Sequence, residues 1–152
     1  MKKIFTLILA IALMASLSVT AFAANTTGGN ADITTSIDPT YTVTIPADVN
    51  VAFNATETSF GTIEVVASQI HPDKCIKVAL ATDKELNNAI DNTKVIPYAI
   101  KDSEGAAFTS ATYLTEGDKT ELSIHITAND WNAAYAGDYS DTVTFTVSYE
   151  DK

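Results

Sequence analysis

The run Tyr139-Ser140-Asp141-Thr142-Val143-Thr144-Phe145-Thr146-Val147-Ser148-Tyr149 has a period of two from Thr142 onward. Val143, Phe145, Val147 and Tyr149 fall on one side, and Thr142, Thr144, Thr146 and Ser148 on the other. Successive side chains of an extended chain point to opposite faces, so the run predicts a strand with one face on a core and a hydroxyl-bearing face in water. Its Val and Thr residues are β-branched, which suits a pleated surface.

Moving toward the N-terminus, the same period returns at Leu122, Ile124 and Ile126, over residues 108–114, and over residues 95–101, where Pro97 indicates an edge. It continues at Ile76, Val78 and Leu80, at Phe60, Ile63 and Val65 with Gly61 marking a bulge, and at Val49, Val51 and Phe53. Tyr41, Val43 and Ile45 form another run stopped by Pro46, and Ile33, Thr35 and Ile37 the first. Glu116-Gly117-Asp118-Lys119 reads as a hairpin turn. Residues 82–92 are the one helix candidate, with Asp83 as cap and Leu86 and Ile90 one turn apart, although the asparagines and the brevity of the segment suit a loop or a single turn equally well. About eight or nine short strands at roughly ten-residue spacing predict an all-β domain, a two-sheet sandwich with Greek-key connections.

Ahead of these runs stand Lys2 and Lys3, an apolar segment over residues 4–19, and Ala21-Phe22-Ala23. That order predicts a secretory signal peptide over residues 1–23, too short for a stable membrane span. A flexible leader is expected over residues 24–30 and the β-sandwich domain over residues 31–152. The expected product is secreted, extracellular or at the cell surface, with no membrane span after cleavage.

The full chain of 152 residues has a net charge of −10 and no Arg. Loss of Lys2 and Lys3 leaves seven Lys against nineteen acidic residues, a net −12. Nucleic acids and anionic membranes are bound through cations, so both partner classes are disfavoured. Cys75 is the only cysteine, which excludes an intramolecular disulfide. It is out of phase with Ile76, Val78 and Leu80, so its thiol is expected on the opposite face, a candidate for an intermolecular disulfide; burial as a small hydrophobe is the other reading.

Catalytic chemistry is weakly signalled. His71 precedes Pro72 in an expected loop, and His125 shares the polar face of a strand with Ser123 and Thr127. No nucleophile elbow accompanies either, so no enzyme is expected. Asp130, Asn132, Asp138 and Asp141 supply the oxygen chemistry that calcium takes, although their spacing is not that of an EF-hand loop, and ordinary polar loops have the same composition. Trp131, Tyr135 and Tyr139 would stack on sugar rings if exposed, with Asp130 or Asn132 bonding hydroxyls. The preferred reading is that Trp131 and Tyr139 plug the end of the core, since cores recruit large aromatics first.

Val95-Ile96-Pro97-Tyr98-Ala99-Ile100, and Ala136-Gly137-Asp138-Tyr139 continuing to Val147, resemble the C-terminal half of spore coat protein U and fimbrial-type β-sandwich domains. They also resemble small secreted sandwich proteins of Gram-positive gut bacteria. The resemblance implies an immunoglobulin-like sandwich used as a building block of surface structures, acting by assembly or adhesion on other copies of itself or cell-envelope components. In the fimbrial domains an extended N-terminal segment completes the sheet of a neighbour. Here residues 30–37 could serve, with Ile33 and Ile37 on one face; the simpler and preferred reading is that they form the domain's own first strand, because a filled edge is the default. The fimbrial-type domains often hold a disulfide that this chain cannot make. A carbohydrate-binding module is the second functional expectation.

Overall fold

The computed structural model describes residues 30–152. The expected signal peptide and most of the leader lie outside the described residues. A compact unit spans Ser36–Lys152, and residues 30–35 before it have no regular secondary structure.

In chain order the elements are β1 (Thr40–Thr44), β2 (Glu57–Gln69), β3 (Lys74–Ala81), β4 (Glu85–Asn88), β5 (Val95–Pro97), β6 (Ala99–Asp102), β7 (Ser110–Tyr113), β8 (Lys119–His125), α1 (Ala128–Ala133), β9 (Tyr139–Ser140) and β10 (Thr144–Asp151). They form three antiparallel sheets with strand orders β1-β2-β8-β6, β10-β3-β7 and β5-β4-β9. The fold is all-β and sandwich-like, because residues of the first two sheets share one core. Ile63 and Val65 of β2, Ile100 of β6, and Leu122 and Ile124 of β8 meet Ile76 and Val78 of β3 and Tyr113 of β7. Each such aliphatic side chain stabilises the fold by about 1.5–3 kcal/mol relative to an exposed one.

Gly61 is the bulge that the sequence indicates. The β2–β8 register shifts between Ser59 and Gly61, and Gly61 has φ +125°. The extra residue rephases the strand, so Phe60 and Ile63, an odd number of residues apart, both pack on the core. A side chain at position 61 would also press on Pro46, whose Cβ lies 3.2 Å from where a Cβ would stand.

Several expectations are corrected. Residues 30–39 contain no strand, and Ile33 and Ile37 are exposed. Residues 49–53 are loop, closed by a turn in which Ala55 N donates to Ala52 O and Asn54 has φ 63°. The helix candidate at residues 82–92 is instead strand β4 entered through a turn. Lys84 sits at φ 62°, which breaks a right-handed helix, and the side chains of Thr82 and Asp83 accept from the backbone of Lys84 and Glu85.

The turn at residues 116–119 is not a hairpin. It carries the chain from β7, which pairs with β3, to β8, which pairs with β2 and β6. Asp118 shapes it by accepting from Leu114 N at 2.7 Å and Thr115 N at 2.9 Å, while Gly117, at φ +88°, donates to Val65 O. The run at residues 95–101 divides at Tyr98 between two sheets, and Pro97 does lie on an edge strand.

Candidate functional site

β10 is the strand read from the terminal alternation, and it pairs residue for residue with β3, from Thr144 opposite Ala81 to Asp151 opposite Lys74. Its other edge has no partner among the described residues. From Thr144 to Tyr149 the strand has no Pro, Gly, charged residue or bulge, so most of its length lacks the devices with which natural sheets commonly blunt an edge. β1 is also an edge strand, and it covers only Glu64–Gln69 of β2. The two edges approach where Tyr41 and Tyr149 stack, with ring centroids 5.8 Å apart.

A cleft of about 550 Å³ opens between the sheets. Phe60, Ile124, Val143 and Phe145 line it, with Leu86 from β4 and the loop at residues 45–51 completing it. Phe60 and Phe145 approach each other within it at 5.9 Å. Its polar groups centre on Asp141, whose Oδ2 accepts from Thr82 Oγ1 at 2.8 Å and from the Tyr98 hydroxyl, and whose Oδ1 accepts from Thr142 N. Burial, and then the Asp141 carboxylate, push the Tyr98 phenol far above its ordinary pKa, so it remains a donor. Sequence reasoning did not find this cluster. Tyr98 and Asp141 appear in the two halves of the quoted resemblance, but nothing in their spacing says that they touch.

The three aromatics proposed for sugar stacking are used differently. Trp131, on α1, packs partly buried against the core, donates from Nε1 to Ala55 O at 2.8 Å and meets Phe53 edge-on at 5.6 Å. Tyr139 is also partly buried, and its hydroxyl donates to Tyr135 O. Tyr135 alone is well exposed, with Lys94 Nζ 5.0 Å from its ring centre. A flat platform needs exposed faces side by side, and two of the three rings are committed to the core.

The calcium candidates are dispersed in their hydrogen bonding. Asp130 belongs to the N-cap of α1, where Thr127 Oγ1 accepts from Asp130 N and donates to its carboxylate. Asn132 lies on the same short helix, Asp138 accepts from Ala89 N through its backbone carbonyl, and Asp141 faces Tyr98. Among the described residues no three His, Cys, Asp or Glu side chains converge as a metal site would require.

Cys75 is 4% exposed, with Sγ 3.7 Å from Asp151 O. On its face of the sheet its neighbours are Lys77, two residues along, and Glu150, directly across. These two form an ion pair 3.3 Å long, and the thiol is buried beside it, which fits the reading of Cys75 as a small buried hydrophobe and not that of an accessible intermolecular cysteine.

His125 accepts or donates through Nε2 with Ser123 Oγ at 2.9 Å, and Glu57 Oε1 lies 3.9 Å from the same nitrogen. A hydrolytic triad places nucleophile and acid on opposite ring nitrogens, and here both address one. His71 lies in the loop before β3, where its backbone N donates to the Tyr149 hydroxyl.

The chain matches no protein-family model and no curated protein. The likeness to coat and fimbrial domains therefore rests on the residues quoted for it. Among the described residues no helix is long and apolar enough to cross a membrane.

Proposed function

We propose that this chain is a secreted surface or structural protein that acts by assembly or adhesion without catalysis, on an immunoglobulin-like Greek-key sandwich. One pairing of observations carries the reading. Residues 30–39, which include Ile33 and Ile37, belong to no strand, while β10 offers an eight-residue edge that has no partner among the described residues. An extended segment from one copy laid along β10 of another would satisfy those edge groups by strand addition. Each backbone hydrogen bond so formed contributes about 0.5–1.5 kcal/mol net, and the four or so outward-facing residues of such an edge add to a usable but reversible interaction. The single-nitrogen geometry at His125 is not that of a hydrolytic triad, which supports the non-catalytic reading.

The test is light scattering on residues 24–152 across a concentration series, beside the Ile33→Asp/Ile37→Asp double variant. Mass that grows with concentration in the parent and stays monomeric in the variant is the expected outcome. A parent that is monomeric throughout, or a variant that assembles equally well, refutes strand donation by this segment.

A further inference from the structure

The cleft between the sheets contains a charge without a counter-charge. Asp141 accepts from Thr82, Tyr98 and Thr142, all neutral donors, and forms no ion pair among the described residues. Asp48 is the other charged residue in the lining; no lysine contributes to it. Most of the other lining residues are apolar, and the rings of Phe60 and Phe145 contact each other in one wall.

A carboxylate has about four lone-pair positions, and Asp141 has three hydrogen bonds. The three donors fix its orientation, and none of them carries a charge that would pair with it. An ionised group beside apolar walls is costly unless a cation joins it, and the ligand that meets both demands has a positive end and a hydrocarbon body. The volume of about 550 Å³ lies in the range of small-molecule sites. Phenyl faces add attraction for an ammonium group close to them.

We propose that this cleft is a binding site for a small organic cation, an alkyl- or arylalkyl-ammonium whose charged end pairs with Asp141 and whose body lies against the apolar wall that Phe60, Val143 and Phe145 form. Neither the β10 edge nor the free segment at residues 30–39 is needed for it. Binding and self-assembly are thus read by separate measurements.

The experiment titrates the 15N-labelled mature chain with 2-phenylethylammonium and, in parallel, with the neutral 2-phenylethanol. Saturable shifts at Tyr98, Asp141, Val143 and Phe145 are expected with the ammonium, and affinity for the alcohol lower by about tenfold or more. Asp141→Asn should weaken the ammonium by a similar factor. Leu86→Trp, which fills the cleft and leaves Asp141 in place, should abolish binding of both. Should Asp141→Asn fail to give a dispersed spectrum, the alcohol comparison and Leu86→Trp still decide the matter. No saturable shift up to millimolar ligand, equal affinity for ammonium and alcohol, or unchanged binding in Leu86→Trp overturns the proposal.

Discussion

Gly137 lies in the Ala136-Gly137-Asp138-Tyr139 stretch, and replacing it by Ala tests whether that stretch is structural. At φ +146° the backbone is already in a region that side chains rarely adopt. A Cβ there would also stand 2.6 Å from Asn88 Nδ2, far inside contact distance. Asn88 is 6% exposed, and its Oδ1 accepts from Ile90 N at 2.9 Å and Asp91 N at 3.2 Å, so it cannot move without losing both bonds. Backbone strain of about 1–2 kcal/mol and two hydrogen bonds of about 1 kcal/mol each give a loss of roughly 3–4 kcal/mol. For a domain of ordinary stability that is a large fraction of the total. Urea unfolding followed by circular dichroism should show a midpoint lower by about 1–4 M, given a typical slope of about 1–3 kcal/mol per M. In an Asn88→Ala background the steric part disappears, and Gly137→Ala should then cost only the strain, about 1–2 kcal/mol. A loss below about 0.5 kcal/mol in the parent, or the same loss in both backgrounds, would refute the close-approach argument.

Trp131→Ala should destabilise by about 3 kcal/mol, and Trp131→Phe by about 1 kcal/mol for the lost bond to Ala55 O, both read by urea unfolding. Cys75 should resist a thiol reagent in the native state and react fully in denaturant, and light scattering should be unchanged by reductant, as its 4% exposure requires. Bonds from the backbone of Leu114 and Thr115 hold the Asp118 carboxyl below its ordinary pKa. A depressed folded pKa contributes stability above the unfolded value, near 3.8, and that contribution disappears as pH falls through the folded pKa. Comparing unfolding midpoints at pH 6 and pH 3, Asp118→Asn should show a smaller acid-induced loss than the parent.

The strands were legible where one face of an element meets the core along its whole length. Ile76, Val78 and Leu80, or Leu122 and Ile124, alternate because each second residue packs on the core, Leu80 only partly buried, and the period follows. Residues 33–37 alternate just as well and form no strand, since alternation records that a segment can pair and not that a partner is present. The helix candidate failed for a local reason. Leu86 and Ile90 have helical spacing, but Thr82, Asp83 and Asn87 spend their side chains on nearby backbone groups, and Lys84 turns left-handed, so the segment is strand and turn. α1 was missed because at six residues it presents less than two turns of pattern.

The site was less legible than the fold because its parts come from distant segments. Tyr98, Thr82 and Asp141 meet only after β5 and β6 have separated into different sheets and the chain has returned through β9. Asp141 was noticed as one of several carboxylates near Trp131, where proximity in sequence favours a shared ion. Its hydroxyl partners instead draw it into the cleft, and Asp130, eleven positions earlier, turns to the N-cap of α1. An open edge is invisible in sequence for a further reason. β10 and β3 both alternate, but β3 has β10 and β7 on its two sides whereas β10 has only β3. What distinguishes the two is neighbour count, a property of topology, and function by strand addition would depend on that difference.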